Sequence, residues 1–166
     1  MTSTANQQYA ALPWRQREGL EILLITSRET RRWVIPKGWP IAGSSAAESA
    51  VEEAYEEAGV RGRMAATAMG HYDYAKRMPG RTKKRFRVDV FSMEVTEVLD
   101  LWPEAHERTR QWLSPQEAAD HVNEPELAAL ILQLAGDQLG QALPGPAFPQ
   151  AIWRKLKALL RLLGLR

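Results

Sequence analysis

Gly38 to Val60, GWPIAGSSAAESAVEEAYEEAGV, carries five glutamates and no lysine or arginine. Its interior is rich in alanine, and its polar and apolar residues recur at helical spacing. Ser45 and Glu48 have the spacing of a capping box, in which a hydroxyl and a carboxylate each satisfy a free backbone N–H. Ala47, Ala50, Val51, Ala54 and Ala58 form an apolar stripe. Gly59 is the natural C-cap. The small stripe calls for close packing of this helix on a sheet. The acids face elsewhere. Glu48/Glu52, Glu52/Glu56 and Glu53/Glu57 are like-charge pairs at i,i+4, each costing an isolated helix roughly 0.2–0.5 kcal/mol. Glu56 and Glu57 also stand near the helix C-terminus, where the dipole disfavours anions. Such a helix calls for cations from elsewhere.

Glu53, Glu56 and Glu57 stand at i, i+3 and i+4, so they project from one face. Carboxylate oxygens suit Mg²⁺ or Mn²⁺, which keep several waters and bind substrate phosphates. One such ion can neutralise phosphate oxygens while another acidifies a water for attack on phosphorus. Spacing alone favours an acidic, solvated helix face over a metal site. The neighbouring residues favour the metal.

The stretch resembles the Nudix box. Gly38, Glu53, Ala54, Glu56, Glu57, Gly59 and Val60 fall on box positions across all its residues. Ser44 replaces the first glutamate of the pattern and Glu52 replaces its arginine. The two departures are self-consistent, because a salt bridge is lost at both ends. The resemblance implies an α+β fold, an α/β/α sandwich with a mixed sheet between helices. It implies Glu53, Glu56 and Glu57 as metal ligands for Mg²⁺, with Mn²⁺ as an alternative. It implies Glu53 or Glu57 as the catalytic base, without choosing between them.

Further segments, ILLITSR, RRWVIPKG and ERTRQWLSPQEA, resemble the branch acting on diphosphoinositol polyphosphates and diadenosine polyphosphates. By position, that branch implies Ser27, Arg28, Lys37, Gly38, Arg85 and Arg108 as substrate-binding residues. The activity implied is cleavage of a phosphoanhydride bond in a nucleoside- or inositol-linked polyphosphate. Alternatives are hydrolysis of ADP-ribose or of RNA 5′ ends, or a catalytically weak ligand-sensing domain.

The rest of the chain is read around this site. A Nudix domain is expected over 1–139, a Pro/Gly-rich linker over 140–150 and an amphipathic helix over 151–166. Strands are expected over 10–17 (interrupted at Pro13), 21–27, 32–35, 66–74, 83–95 and 110–113. Helices are expected over 45–58, 115–122 and 124–139, with a loop over 38–43. Met1 to Leu12 lacks the charged start and apolar centre of a signal peptide and reads as a frayed lead-in. There is no cysteine. That excludes disulfides and thiolate metal sites and fits a reducing, cytoplasmic setting. A net charge of +2 gives no global attraction to nucleic acid, so no nucleic-acid partner is expected. The last helix places Ile152, Trp153, Leu156, Leu159, Leu160 and Leu163 on one face and Arg154, Lys157 and Arg161 on the other. Such a helix packs on its own domain, on another subunit or on an anionic membrane.

Overall fold

The computed structural model describes residues 6–80 and 82–142. Arg81, residues 143–150 of the expected linker and the expected C-terminal helix lie outside the described residues. The organising element is β1 (Gln7–Gln16), the central strand of an eight-stranded mixed sheet. It pairs in parallel with β7 (Lys83–Val98) on one side. On its other side it pairs antiparallel, first with β4 (Lys37–Gly38) and then with β2 (Leu20–Thr26). Beyond β2 lie β3 (Trp33–Val34) and β8 (Arg110–Leu113). Beyond β7 lie β5 (Val60–Met64) and β6 (Gly70–Arg77).

Helices cover both faces, and strand alternation decides which residues each receives. Ala10, Leu12, Ile22 and Leu24 pack with Leu127, Ile131 and Leu134 under α2 (Pro115–His121) and α3 (Pro125–Ala142). Ala11, Leu23 and Ile25 pack with Ala54 and Ala58 of α1 (Ala46–Ala58). Burying each of Ile22 to Ile25 fully is worth about 1.5–3 kcal/mol. The architecture is the expected α/β/α sandwich.

Several boundaries differ from the expectation. Residues 7–12 are not a frayed lead-in, since Ala10, Ala11 and Leu12 are fully buried in β1. Nor does Pro13 interrupt the strand. The Ala11 amide donates to the Pro36 carbonyl at 3.1 Å, so the nitrogen two residues on points to the same edge. There β1 passes from β4 to β2, and a residue without an N–H loses no ladder bond. The strand expected over 66–74 is β6, which begins only at Gly70 and runs to Arg77, and β5 (Val60–Met64) before it was not expected. Gly38 pairs within β4 rather than opening a loop. Helix α3 runs past 139 to Ala142, carrying Gly136 and Gly140 inside it.

Candidate active site

Helix α1 begins as its sequence requires. Ser45 accepts from the Glu48 amide at 3.2 Å and the Glu48 carboxylate accepts from the Ser45 amide at 2.6 Å. Gly59 ends the helix in the left-handed conformation, φ 62°, ψ 42°. Between these caps, Ala50, Ala54 and Ala58 are buried against the sheet, and Glu57 is buried beside them. Glu53 and Glu56 are half-buried, and Glu52 is exposed.

Glu53, Glu56 and Glu57 open into one cleft of about 650 Å³ together with Ser27, Arg28, Lys37, Gly38 and Arg108. Eight of the nine site residues expected from the sequence therefore line one cleft. Arg85 does not. It is exposed on β7 and paired with Asp73 at 3.1 Å. The alternation of β7 turns Phe86, Val88 and Val90 inward and leaves Arg85 and Arg87 outward. Arg32, Lys76 and Arg77, which the site reading above did not include, line the cleft instead.

The carboxylates differ in their partners. Glu57 is held on both oxygens. Oε2 accepts from the Lys37 amide at 3.0 Å, and Oε1 is paired with the Arg108 guanidinium. Arg108 also pairs with Glu104 and donates to the Thr26 carbonyl at 3.1 Å, and its side chain is 6% exposed. Burial pushes the Glu57 carboxyl up, while Arg108 and Lys37 pull it down. Glu53 lacks such anchors. Burial, and then Glu57, Glu56 and Glu104, push its carboxyl up to about 7. Gly38 passes directly beneath it, and a Cβ added at Gly38 would coincide with the Glu53 carboxylate. The Lys37 ammonium is driven below its ordinary value by burial.

The C-terminal end of α1, with no basic residue of its own, is neutralised from a distance. Arg110 of β8 donates to the carbonyls of Ala58 (2.9 Å) and Gly59 (3.2 Å). It lies over the Trp102 ring at 3.9 Å, and Trp102 donates to the Glu57 carbonyl at 3.2 Å. The Glu104 amide donates to the Glu56 carbonyl at 3.1 Å. Sequence reasoning missed Glu104 and Arg110. The one available signal was the unmet demand for cations at this helix end.

The donor set fits a hard divalent cation. Glu53, Glu56, Glu57 and Glu104 bring four carboxylates to the cleft, and the buried Arg108 neutralises part of that charge. Among the described residues, no three acidic or histidine side chains already converge at ligating distance. An ion held here would take one or two carboxylates and fill its shell with water and phosphate oxygens, as Mg²⁺ ordinarily does.

Comparison with known proteins bears on the family and the fold. The profile of the NUDIX domain matches residues 7–134. Nudix hydrolase 18, mitochondrial, of Arabidopsis thaliana is 37% identical over 100 residues, covering 60% of this chain and 54% of the relative. Diphosphoinositol polyphosphate phosphohydrolase 3-beta of Bos taurus is 30% identical over 112 residues, 66% of this chain and 64% of the relative. The chain spans about half the length of the plant relatives it matches. Among solved structures, a C. elegans Ap4A hydrolase binary complex superposes with TM-score 0.61 at 19% identity, covering 82% of this chain and 99% of that one. The E. coli dihydroneopterin triphosphate pyrophosphohydrolase superposes with TM-score 0.62 at 17% identity, covering 78% and 94%. At these identities the superpositions speak to fold alone. With the profile spanning most of the chain, and the acidic helix, Gly38 and the sandwich arranged as they are, the chain belongs to the Nudix family.

Proposed function

We propose that this chain is a Mg²⁺-dependent hydrolase that cleaves a phosphoanhydride bond in a nucleoside- or inositol-linked polyphosphate. The observation that carries the reading is the charge layout of one cleft. Glu53, Glu56 and Glu57 of α1 share it with Arg28, Lys37 and Arg108. A divalent ion held among these glutamates would supply neutralisation of phosphate oxygens and acidification of water. Arg28, at the exposed mouth, and Lys37, deeper in, bind and orient the remaining phosphate charge.

Proton acceptance is assigned to Glu53. Glu57 is held on both oxygens, by Arg108 and the Lys37 amide, whereas the Glu53 carboxylate has no such partner and is free to accept a proton. The test is phosphate release from a panel of diadenosine polyphosphate, diphosphoinositol polyphosphate, ADP-ribose and triphosphorylated RNA, with and without Mg²⁺. Glu53→Gln should lose about 10²- to 10⁴-fold in kcat, the usual share of general-base catalysis. Near-normal turnover in that variant, or equal turnover without divalent ions, overturns the assignment. A ligand-sensing domain is the second reading, favoured by Ser44 and Glu52 at two box positions. Tight binding with no release from any substrate would establish it.

A further inference from the structure

The turn between β2 and β3 carries Arg28, Arg31 and Arg32, and the three reach in different directions. Arg28 meets the carboxylates of Glu107 at 3.2 Å and Glu104 at 3.8 Å. Arg32 pairs at 3.0 Å with Glu124, the buried residue just before α3. Arg31 turns to the loop before β8. It donates to the Glu107 carbonyl at 2.8 Å and to Thr109 Oγ1 at 3.1 Å. Arg108, the partner of Glu57, lies between those two residues. We propose that Arg31 is a positioning residue, which grips the chain on either side of Arg108 and so seats that guanidinium against Glu57 and Glu104. The grip stands on geometry, and its effect on turnover rests on the hydrolase reading above.

The backbone at Arg31 is the first support. Its φ is 56°, and among the described residues it is the one non-glycine residue with a positive φ. An arginine in this region is uncommon and strained, whereas glycine adopts it without cost. The surrounding turn enforces the conformation. The Arg31 amide donates to the Ser27 carbonyl at 3.1 Å, and the Ser27 amide donates to the Arg32 carbonyl at 2.9 Å. The hydroxyls of Ser27 and Thr30 meet at 2.7 Å. Across this left-handed step the side chains of 31 and 32 part, one toward Thr109 and the other toward Glu124.

The loop itself is the second support. At one end the Glu104 amide donates to the Glu56 carbonyl at 3.1 Å. At the other, the Thr109 amide donates to Thr26 Oγ1 and its carbonyl accepts from the Thr26 amide, both at 2.9 Å. Between these anchors, Arg31 holds the Glu107 carbonyl. The other tie from the turn is Arg28.

Arg28 and Arg31 differ in what substrate can do to them. Arg28 lines the carboxylate cleft, together with Ser27, Glu29, Thr30 and Arg32, whereas Arg31, Glu107 and Thr109 do not. A phosphate bound by Arg28 competes with its exposed, weak pairs to Glu104 and Glu107. Arg31 bonds a carbonyl and a hydroxyl outside the cleft, so its hold survives when substrate enters. One arginine of the turn exchanges partners during binding, and the other keeps the loop in place while it does.

Arg31→Gly and Arg31→Ala, compared on the full chain, test the proposal. Both remove the guanidinium, and only glycine suits the left-handed backbone, so Arg31→Gly should melt at the higher temperature of the two. Both should lose kcat to the same extent, about 10- to 100-fold, with KM little changed, since Arg31 meets no substrate. In an Arg108→Lys background, Arg31→Gly should cost less than about 2-fold more, because the group it positions is already replaced. Amide exchange reads the grip without turnover. In Arg31→Gly the Thr109 and Glu104 amides should exchange about 2- to 10-fold faster, the effect of losing one hydrogen bond, with the amides of α3 unchanged. A kcat loss that is larger in Arg31→Ala and follows melting temperature, or costs that multiply in the double variant, overturns the positioning role. Unchanged exchange at Thr109 and Glu104 overturns the grip itself. Faster exchange there, in a chain that releases phosphate from no substrate of the panel, keeps the grip and overturns the hydrolase reading.

Discussion

Arg108 is the cation that the acidic helix demands. Glu52 stands where the box pattern has an arginine, so α1 provides no positive charge for its own carboxylates. Arg108 reaches Glu57 from the loop before β8, and its planar fork also serves Glu104 and the Thr26 carbonyl. Both side chains of the Arg108–Glu57 pair are almost inaccessible, 6% and 12% exposed. A buried pair of this kind contributes little over an apolar one, but removing one member strands the other. Arg108→Met should therefore destabilise the fold by about 3–5 kcal/mol in chemical denaturation, since it strands Glu57. Arg108→Lys should recover only part of this, because one ammonium cannot span three acceptors fixed around a guanidinium. A loss below about 1 kcal/mol for Arg108→Met would show that Glu57 is not held by this contact. Glu53 draws the opposite consequence from the same neighbourhood. Its carboxyl has no such partner and is pushed up to about 7, which makes it the titrating member of the cluster.

Strand β4 meets helix α1 at Lys37, whose amide donates to Glu57, and at Gly38 against Glu53, and the second contact ties the fold to the site. Gly38→Ala places a methyl group where the Glu53 carboxylate lies. The obstructed atoms are the far end of a flexible side chain, so the backbone need not yield and the carboxylate swings away instead. Gly38→Ala should thus keep the melting temperature near wild type and weaken Mg²⁺ binding, read by calorimetry. A large fall in melting temperature with unchanged metal affinity would place the strain in the strand. Elements with strong local signals were legible before any coordinates. The capping box at Ser45, the left-handed Gly59 and the alternation of β7 all stand where residue chemistry puts them. Elements defined by partners were not. Gln7 to Leu12 is a strand because β7 and β4 flank it, and nothing in QQYAAL announces that. Strand β5, VRGRM, holds a glycine because its bulge against β7 leaves no room for a Cβ beside the Glu94 carbonyl. That glycine hides the strand from pattern reading. The site divides in the same way. The glutamates and Gly38 are set by helix spacing and the strand before it. Glu104, Arg110 and the exclusion of Arg85 depend on which loop returns to α1, and that is a property of the whole sheet.

At the scale of the molecule, the cleft stores electrostatic cost that the rest of the fold carries. Glu53 titrates at about 7 in the folded chain against an ordinary value of 4.5, with burial as the main cause and neighbouring acids adding to it. The folded state then binds this proton more tightly than the unfolded one. The stability tied to Glu53 is fully present below pH 4.5 and is lost as pH rises through about 7. Glu48 and Glu117 act with the opposite sign. Their capping-box hydrogen bonds hold them below the ordinary value, so their share is lost as pH falls. The two trends overlap in any single melting curve, and a comparison with Glu53→Gln isolates the first. Without divalent ions, the melting temperature of the variant should exceed that of the wild type by a margin that grows from pH 4.5 to pH 7. Mg²⁺ should reverse the order. An ion needs the deprotonated carboxylate, so it binds the wild type more strongly as Glu53 ionises. At a hundredfold excess over its Kd it adds about 2.7 kcal/mol to the folded state. The wild type should therefore gain more from Mg²⁺ at pH 7 than at pH 5, and Glu53→Gln should gain little at either. Thermal melts over pH 4.5 to 7, with and without Mg²⁺, decide this. A margin that stays flat with pH would mean that Glu53 is already ionised throughout.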